Sequence, residues 1–128
     1  MKQLVLSIAS IYGGLSVIFG AFGAHALKKV LSESQLQSFE TGVKYQMYHA
    51  IVLLVVGFFF TFESRLQISM GWSFIVGTFL FSFSIYLLSL SSILGLNVRF
   101  LGPVTPLGGL FMVAGWFLLL AVIIKELI

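Results

Sequence analysis

Four long apolar stretches fill almost all of this 128-residue chain. They run over residues 4–27, 45–62, 68–94 and 107–124. A helix rises about 1.5 Å per residue and the hydrocarbon core of a bilayer is about 30 Å thick, so about 20 apolar residues cross it. Each stretch reaches or nearly reaches that length. We therefore expect an all-α fold, an integral membrane four-helix bundle that forms a single domain over residues 1–128.

The composition agrees with a lipid environment and excludes several classes of function. Apolar residues make up 59% of the chain and charged residues 9%, against about 25% charged residues in soluble domains. The absence of cysteine excludes disulfides and Cys-ligated zinc. The basic residues are scattered, mostly at the ends of the stretches, as in headgroup anchoring, so we expect the lipid bilayer and no nucleic acid as a partner. Their numbers are similar on the two sides, and charge does not set the membrane orientation.

Small residues follow one face of the first stretch. Gly13, Ser16, Gly20, Gly23 and Ala24 recur at helical spacing. In lipid, small residues let helix backbones approach closely, so this face is predicted to pack against another helix. A groove for a ligand is the alternative. The apolar run exceeds 20 residues, against about 7–15 in a signal peptide, so a retained helix is expected.

The polar segment 28–43 separates the first two stretches. Ser32 and Gln35 have the spacing of a capping box, which predicts a helix start there. Leu36, Phe39 and Val43 then share one face. We expect a short interfacial amphipathic helix between helices 1 and 2 that leads into the second span.

Two histidines are the ionisable residues expected below the headgroups, where such groups are costly. His25 ends the first span, and His49 lies about one turn into the second, beside Tyr45, Gln46 and Tyr48. Three interpretations stay open. The histidines could bond to neighbouring helices, form a proton relay or a site for a small polar solute, or ligate haem or a metal.

The last loop predicts where the fourth helix begins. Thr105 is a good N-cap, and Pro106 suits the first helical position because its missing N–H is not needed there. Paired carboxylates within a span and a phosphate-binding glycine loop are absent from the sequence. We therefore expect no enzymatic activity, no catalytic residue, no metal site and no cofactor.

Three motifs resemble one family in order and spacing over essentially the whole chain. They are GAFGAHAL at 20–27, TGVKYQMYHA at 41–50, and GPVTPLGG at 102–109 followed by a Gly-Trp pair at 115–116. The family is a small bacterial inner-membrane family called domain of unknown function 423, or uncharacterised protein family 0382, and is related to transmembrane protein 256. Phe83 departs from the pattern, since the family's small glycine is expected there.

The resemblance implies a compact four-helix protein of the bacterial inner membrane without an assigned activity. It directs attention to residues within the motifs, which we expect to form one polar cluster on one membrane side: His25, Tyr45, Gln46, His49, Thr105 and Pro106. The leading hypothesis is a non-enzymatic protein that acts through assembly, as a homo-oligomer or an accessory subunit of a membrane complex. The alternative is binding or transport of a polar solute, quinone, lipid or haem around His25 and His49.

Overall fold

The computed structural model describes all 128 residues, and it is helical almost from end to end. Five α-helices follow one another: α1 Lys2–His25, α2 Glu33–Phe59, α3 Arg65–Thr78, α4 Ser84–Leu94 and α5 Val104–Val122. A π-helical turn at Phe79–Phe83 joins α3 to α4 in one continuous span, and a second at Ile123–Leu127 ends the chain. The structure therefore contains four helical spans, each of which is long and apolar enough to cross a membrane. This confirms the predicted fold class.

The segment predicted as a separate interfacial helix is instead the beginning of α2. The predicted capping box is confirmed, because Gln35 N–H donates to Ser32 Oγ at 3.2 Å and Ser32 N–H donates to Gln35 Oε1 at 3.0 Å. From this cap α2 continues unbroken to Phe59. No proline interrupts it, and Phe39 packs in a small core with Leu27 near the end of α1. Because Phe39 packs against Leu27, the first turns of α2 lie in line with the rest of the helix and do not form a separate helix along the membrane surface.

The start of α5 also differs from the sequence expectation. The N-cap is Pro103, so Thr105 and Pro106 lie inside the first turn. The Thr105 hydroxyl is engaged elsewhere, because it lies 2.6 Å from Ser84 Oγ on α4. Pro106 is tolerated there because the N–H groups of a first turn have no partner within the helix.

The bundle is layered, with α2 and the α3–α4 span in the middle. Helix α1 packs mainly on α2, and α5 packs mainly on α3 and the π-turn. The main core joins α1, α2 and α3 through Val5, Leu53 and Phe74. Only 31 of the 128 residues are buried. Most apolar side chains therefore face outward, as expected for a protein whose solvent is lipid.

Glycines determine how closely α3 and α5 approach. A β-carbon added at Gly77 would lie 2.7 Å from the backbone nitrogen of Met112, and one at Gly108 would lie 2.9 Å from the Gly77 oxygen and collide with the Phe81 backbone. A β-carbon at Gly115 would lie 2.7 Å from the Phe74 ring. Such distances are too short for any larger residue, so α5 lies directly against the backbone of α3.

The predicted small-residue face of α1 lies mostly on α2. A β-carbon on Gly13, Gly20 or Gly23 would meet an α2 side chain at 3.2–3.9 Å, and Ser16 is buried. Ala24 is exposed and lies outside this contact. The face therefore serves packing within the chain.

Phe83 fills the space beside the π-turn. Its ring centroid lies 5.0 Å from that of Phe79, 5.4 Å from Tyr86 and 6.3 Å from Phe19 on α1. The departure from the expected glycine therefore adds an aromatic contact between α1 and the α3–α4 span.

Gly108→Ala should destabilise the fold, because its methyl group would collide with the Phe81 backbone. Overpacking typically costs about 1–3 kcal/mol, which thermal unfolding in detergent would detect. Gly109→Ala is the matched control, since its β-carbon would meet the Phe81 ring at an ordinary 3.7 Å. Equal unfolding temperatures for the two variants would contradict the close α3–α5 contact.

Candidate functional site

The two histidines lie in different surroundings. His25 is at the exposed end of α1 and lines a shallow depression with Lys28 and Lys29. His49 is only 4% exposed, in the middle of α2. No side-chain hydrogen bond joins them.

Both ring nitrogens of His49 have partners. Trp116 Nε1–H on α5 donates to His49 Nε2 at 3.2 Å, and His49 Nδ1 lies 2.8 Å from the Tyr45 carbonyl oxygen. The accepting Nε2 assigns the proton to Nδ1, which then donates to the carbonyl. His49 is therefore the neutral tautomer with its proton on Nδ1, and a neutral ring suits a membrane interior. A metal or haem iron would have to displace one of these two contacts.

Gln46 belongs to a second network that ties three spans together. Its Nε2 donates to the carbonyl oxygen of Tyr12 on α1 at 2.8 Å, and its Oε1 accepts from the Tyr86 hydroxyl on α4 at 2.6 Å. The Tyr12 hydroxyl donates to the Ile75 carbonyl oxygen of α3 at 2.8 Å. Gln46 is fully buried, and this network satisfies both ends of its amide.

Hydroxyls on the face of the third span mostly join helices as well. Ser82 Oγ donates to the Gly42 carbonyl oxygen of α2 at 2.8 Å. Thr78 and Ser89 are the exceptions, because their buried hydroxyls have no partner. Buried polar groups are nearly always hydrogen-bonded. Thr78 is enclosed in the core, whereas Ser89 lies on the wall of a cavity.

That cavity has a volume of about 480 Å³ and contains the remaining predicted site residues. Thr105 and Pro106 line it from the start of α5, and Ser34 and Ser38 from the start of α2. Tyr45 and His49 line a different cavity of about 240 Å³, which they share with Trp116.

The six predicted residues therefore occupy four surroundings. Tyr45 contacts His49, Gln46 belongs to the inter-helix network, and Thr105 and Pro106 line the larger cavity. His25 stands apart at the exposed end of α1. No group of three His, Cys, Asp or Glu side chains lies close enough to hold a metal ion.

Sequence reasoning missed several residues of these networks. Tyr12 and Trp116 were not singled out as hydrogen-bonding partners, and Gly77, Gly108 and Gly115 were not recognised as packing positions. The spacing of Gly108 and Gly115, two helical turns apart, was an available signal. The partners of Tyr12 and Trp116 had no signal, because they lie 63 and 67 residues away in the chain.

Comparison with known proteins identifies the family. Residues 19–109 match the family model described as "Protein of unknown function (DUF423)". The chain belongs to the DUF423 family. The resemblance found in the sequence motifs is thereby confirmed.

Relatives in other bacteria match over most of the chain. The UPF0382 membrane protein YwdK of Bacillus subtilis is 37% identical over an alignment of 129 positions, which covers 99% of this chain and 100% of the relative. The UPF0382 inner membrane protein YgdD of Escherichia coli K12 is 37% identical over 122 residues, which cover 93% and 88%. The UPF0382 membrane protein SH2409 of Staphylococcus haemolyticus is 37% identical over 118 residues, covering 92% and 93%.

No solved structure matches the chain. The names of the DUF423 relatives and the four spans agree on an integral protein of the bacterial inner membrane. The family description assigns no activity.

Gln46→Leu should destabilise the protein, because it removes the acceptor of the Tyr86 hydroxyl and the bond from α2 to the Tyr12 carbonyl of α1, which keeps only its side-chain bond from Ser16 on α1 itself. Hydrogen bonds between membrane helices are worth about 0.6–2 kcal/mol each, so a loss of about 1–3 kcal/mol is expected in a reversible denaturation assay. Gln37→Leu, an exposed glutamine on the same helix, should have little effect. A Gln46→Leu protein as stable as the wild type would rule out a structural role for this network.

Proposed function

We propose that this DUF423 protein is non-enzymatic and acts through helix-mediated assembly, first of all with a second copy of itself. The buried polar groups support this proposal, because most of them bond within the chain, and several of these bonds join its helices. The outward faces of the bundle remain available for a role. Participation in a larger membrane complex as an accessory subunit is the same proposal with a different partner.

One outward face of α1 carries the proposal. Small residues recur there at alternating spacings of three and four, interrupted by one valine, and every one of them is exposed. This outer seam consists of Ser7, Ser10, Gly14, Val17, Ala21 and Ala24. It is separate from the face that packs on α2, and only Ala24 was among the residues predicted for packing. A β-carbon at Gly14 would have no atom within 4 Å.

This spacing suits a helix–helix contact in lipid. Alternation of three and four residues keeps a seam facing one partner helix, with the two helices crossing at a small left-handed angle. Small side chains permit the close backbone contact that drives association in membranes. A two-fold axis along the membrane normal would bring the outer seams of two copies together in parallel, with the same residues opposite each other.

Disulfide trapping tests the assembly directly, since the chain has no cysteine of its own. Ser10→Cys should form a disulfide-linked dimer on mild oxidation in native membranes, because the two copies of residue 10 would face each other. Leu110→Cys is the control, on the exposed outer face of α5 and outside both cavities, and should form little dimer. Non-reducing gels quantify both.

A second substitution distinguishes a specific seam from random collision. Adding Gly14→Leu to Ser10→Cys should lower the dimer yield about tenfold, equivalent to about 1.4 kcal/mol. The open space at Gly14 leaves the fold of each copy unchanged. Ile11→Leu, an exposed substitution of equal volume on the same helix, should preserve the dimer. Equal yields at residues 10 and 110, or no response to Gly14→Leu, would overturn the proposal.

The alternative of small-molecule binding around His25 and His49 has less support. Both ring nitrogens of His49 are engaged, and His25 lies at the exposed end of α1 without a bond to His49. A ligand at His49 would have to replace the contact with Trp116 or with the Tyr45 carbonyl.

A further inference from the structure

Two cavities lie in line along the seam between α2 and α5. The first, of about 480 Å³, is lined by Ser34, Gln35, Ser38, Ser89, Thr105 and Pro106, among others. The second, of about 240 Å³, is lined by Tyr45, His49, Gly109, Met112, Val113 and Trp116, with Phe81 completing the wall. The α2 and α5 residues of both cavities recur at helical spacing, so they share one face of each helix. We refer to the two cavities together as the α2–α5 groove.

The groove exists because α2 and α5 do not pack against each other along this seam. Each helix packs instead on the α3–α4 span between them. The bond from Trp116 to His49 bridges the seam in the second cavity. The α3–α4 span closes the inner side of both cavities, with Ile85 and Leu88 in the first and Phe81 in the second.

The two cavities lie at different depths. Helix α2 has 27 residues and is therefore about 40 Å long, while the hydrocarbon core is about 30 Å thick. Its final turns, residues 50–60, are purely apolar, so its excess length lies at the Glu33 end. Ser34 and Ser38 are then at the level of the lipid headgroups. His49 lies about 22 Å deeper than Ser34, inside the hydrocarbon.

The first cavity is polar without being charged. No Lys, Arg, Asp or Glu contributes to its wall, which presents four hydroxyls and one amide. Hydroxyls both donate and accept hydrogen bonds, as a polyol does. The Ser89 hydroxyl on this wall is buried and has no partner within the chain. This unsatisfied group is the observation that points to a ligand.

We propose that the α2–α5 groove binds a membrane lipid with an uncharged, hydroxyl-bearing head, such as a monoglycosyl diacylglycerol. The head occupies the first cavity and exchanges hydrogen bonds with Ser38 and Ser89. One acyl chain runs down the second cavity between Tyr45 and Trp116. An anionic phospholipid fits this wall less well, because no cationic side chain is present to pair with its phosphate.

Native mass spectrometry tests the headgroup preference. The detergent-purified protein is mixed with monoglucosyl diacylglycerol or with phosphatidylglycerol carrying the same acyl chains. We expect the glycolipid to be retained about tenfold more strongly, a difference typical of one or two additional hydrogen bonds. Equal retention, or a preference for phosphatidylglycerol, would overturn the assignment. Displacement of the lipid by free glucose at equal concentration would do so too, because it would indicate a site for a soluble sugar.

Substitutions test the location of the site. Ser38→Leu should reduce glycolipid retention about tenfold, because it removes a hydroxyl and fills part of the first cavity. Gln37→Leu changes the neighbouring exposed residue outside the cavity wall and should leave retention unchanged. Both positions are exposed, so both variants should fold. Equal retention by the two variants would place the lipid elsewhere.

Fluorescence quenching locates the acyl chain. The chain has two tryptophans, and Trp72→Phe leaves Trp116 as the only reporter. Glycolipid with brominated acyl chains should quench Trp116, and Gly109→Leu, which fills the second cavity, should abolish the additional quenching. Quenching that persists in Gly109→Leu would contradict the proposed path of the chain. None of these variants lies on the outer seam of α1, so the lipid site and the assembly are tested separately.

Discussion

Because lipid tails are as apolar as leucine, this protein gains little by turning apolar side chains inward rather than outward. Its helices must be held together by close contact and by hydrogen bonds. Both devices are concentrated in the middle of the bundle. Gly77 and Gly108 bring α3 and α5 into backbone contact, and small residues of α1 lie against side chains of α2. The exposed aromatic and aliphatic side chains then face the lipid tails, which surround the bundle as its solvent.

The hydrogen bonds supply the specificity that apolar contacts cannot. Gln46 reaches α1 and α4 at once, and Trp116 connects α5 to His49. An unpaired polar group in hydrocarbon costs several kcal/mol, so each bond disfavours any arrangement of helices that would break it. This explains why the most polar side chains of the spans are also among the most buried. Gln46 and His49, two residues of the predicted polar cluster, are bonded within the fold in this way.

Two features at the surface of the bundle take no part in these contacts. Helix α1 has two small-residue faces, and the chain covers only one of them. The α2–α5 groove leaves one buried hydroxyl, that of Ser89, without a partner. The two features differ in chemistry. The small residues of the outer seam suit a contact with another helix, whereas the polar and apolar cavities of the α2–α5 groove suit an amphiphile. The proposed assembly uses the outer seam of α1, and the proposed lipid site uses the α2–α5 groove.

The sequence alone determined the solvent, the number of spans and the cap of α2, because hydropathy, span length and capping depend on neighbouring residues. It was wrong about a separate interfacial helix and about the N-cap of α5, where packing by Phe39 and the bond from Thr105 to Ser84 outweighed local preference. Only the tertiary structure decided which face of each helix meets a neighbour, the partners of Gln46 and His49, and the groove between α2 and α5. Those features depend on the rotation and position of helices whose contacting residues lie 21 to 67 positions apart in the chain, a relation that local spacing does not encode.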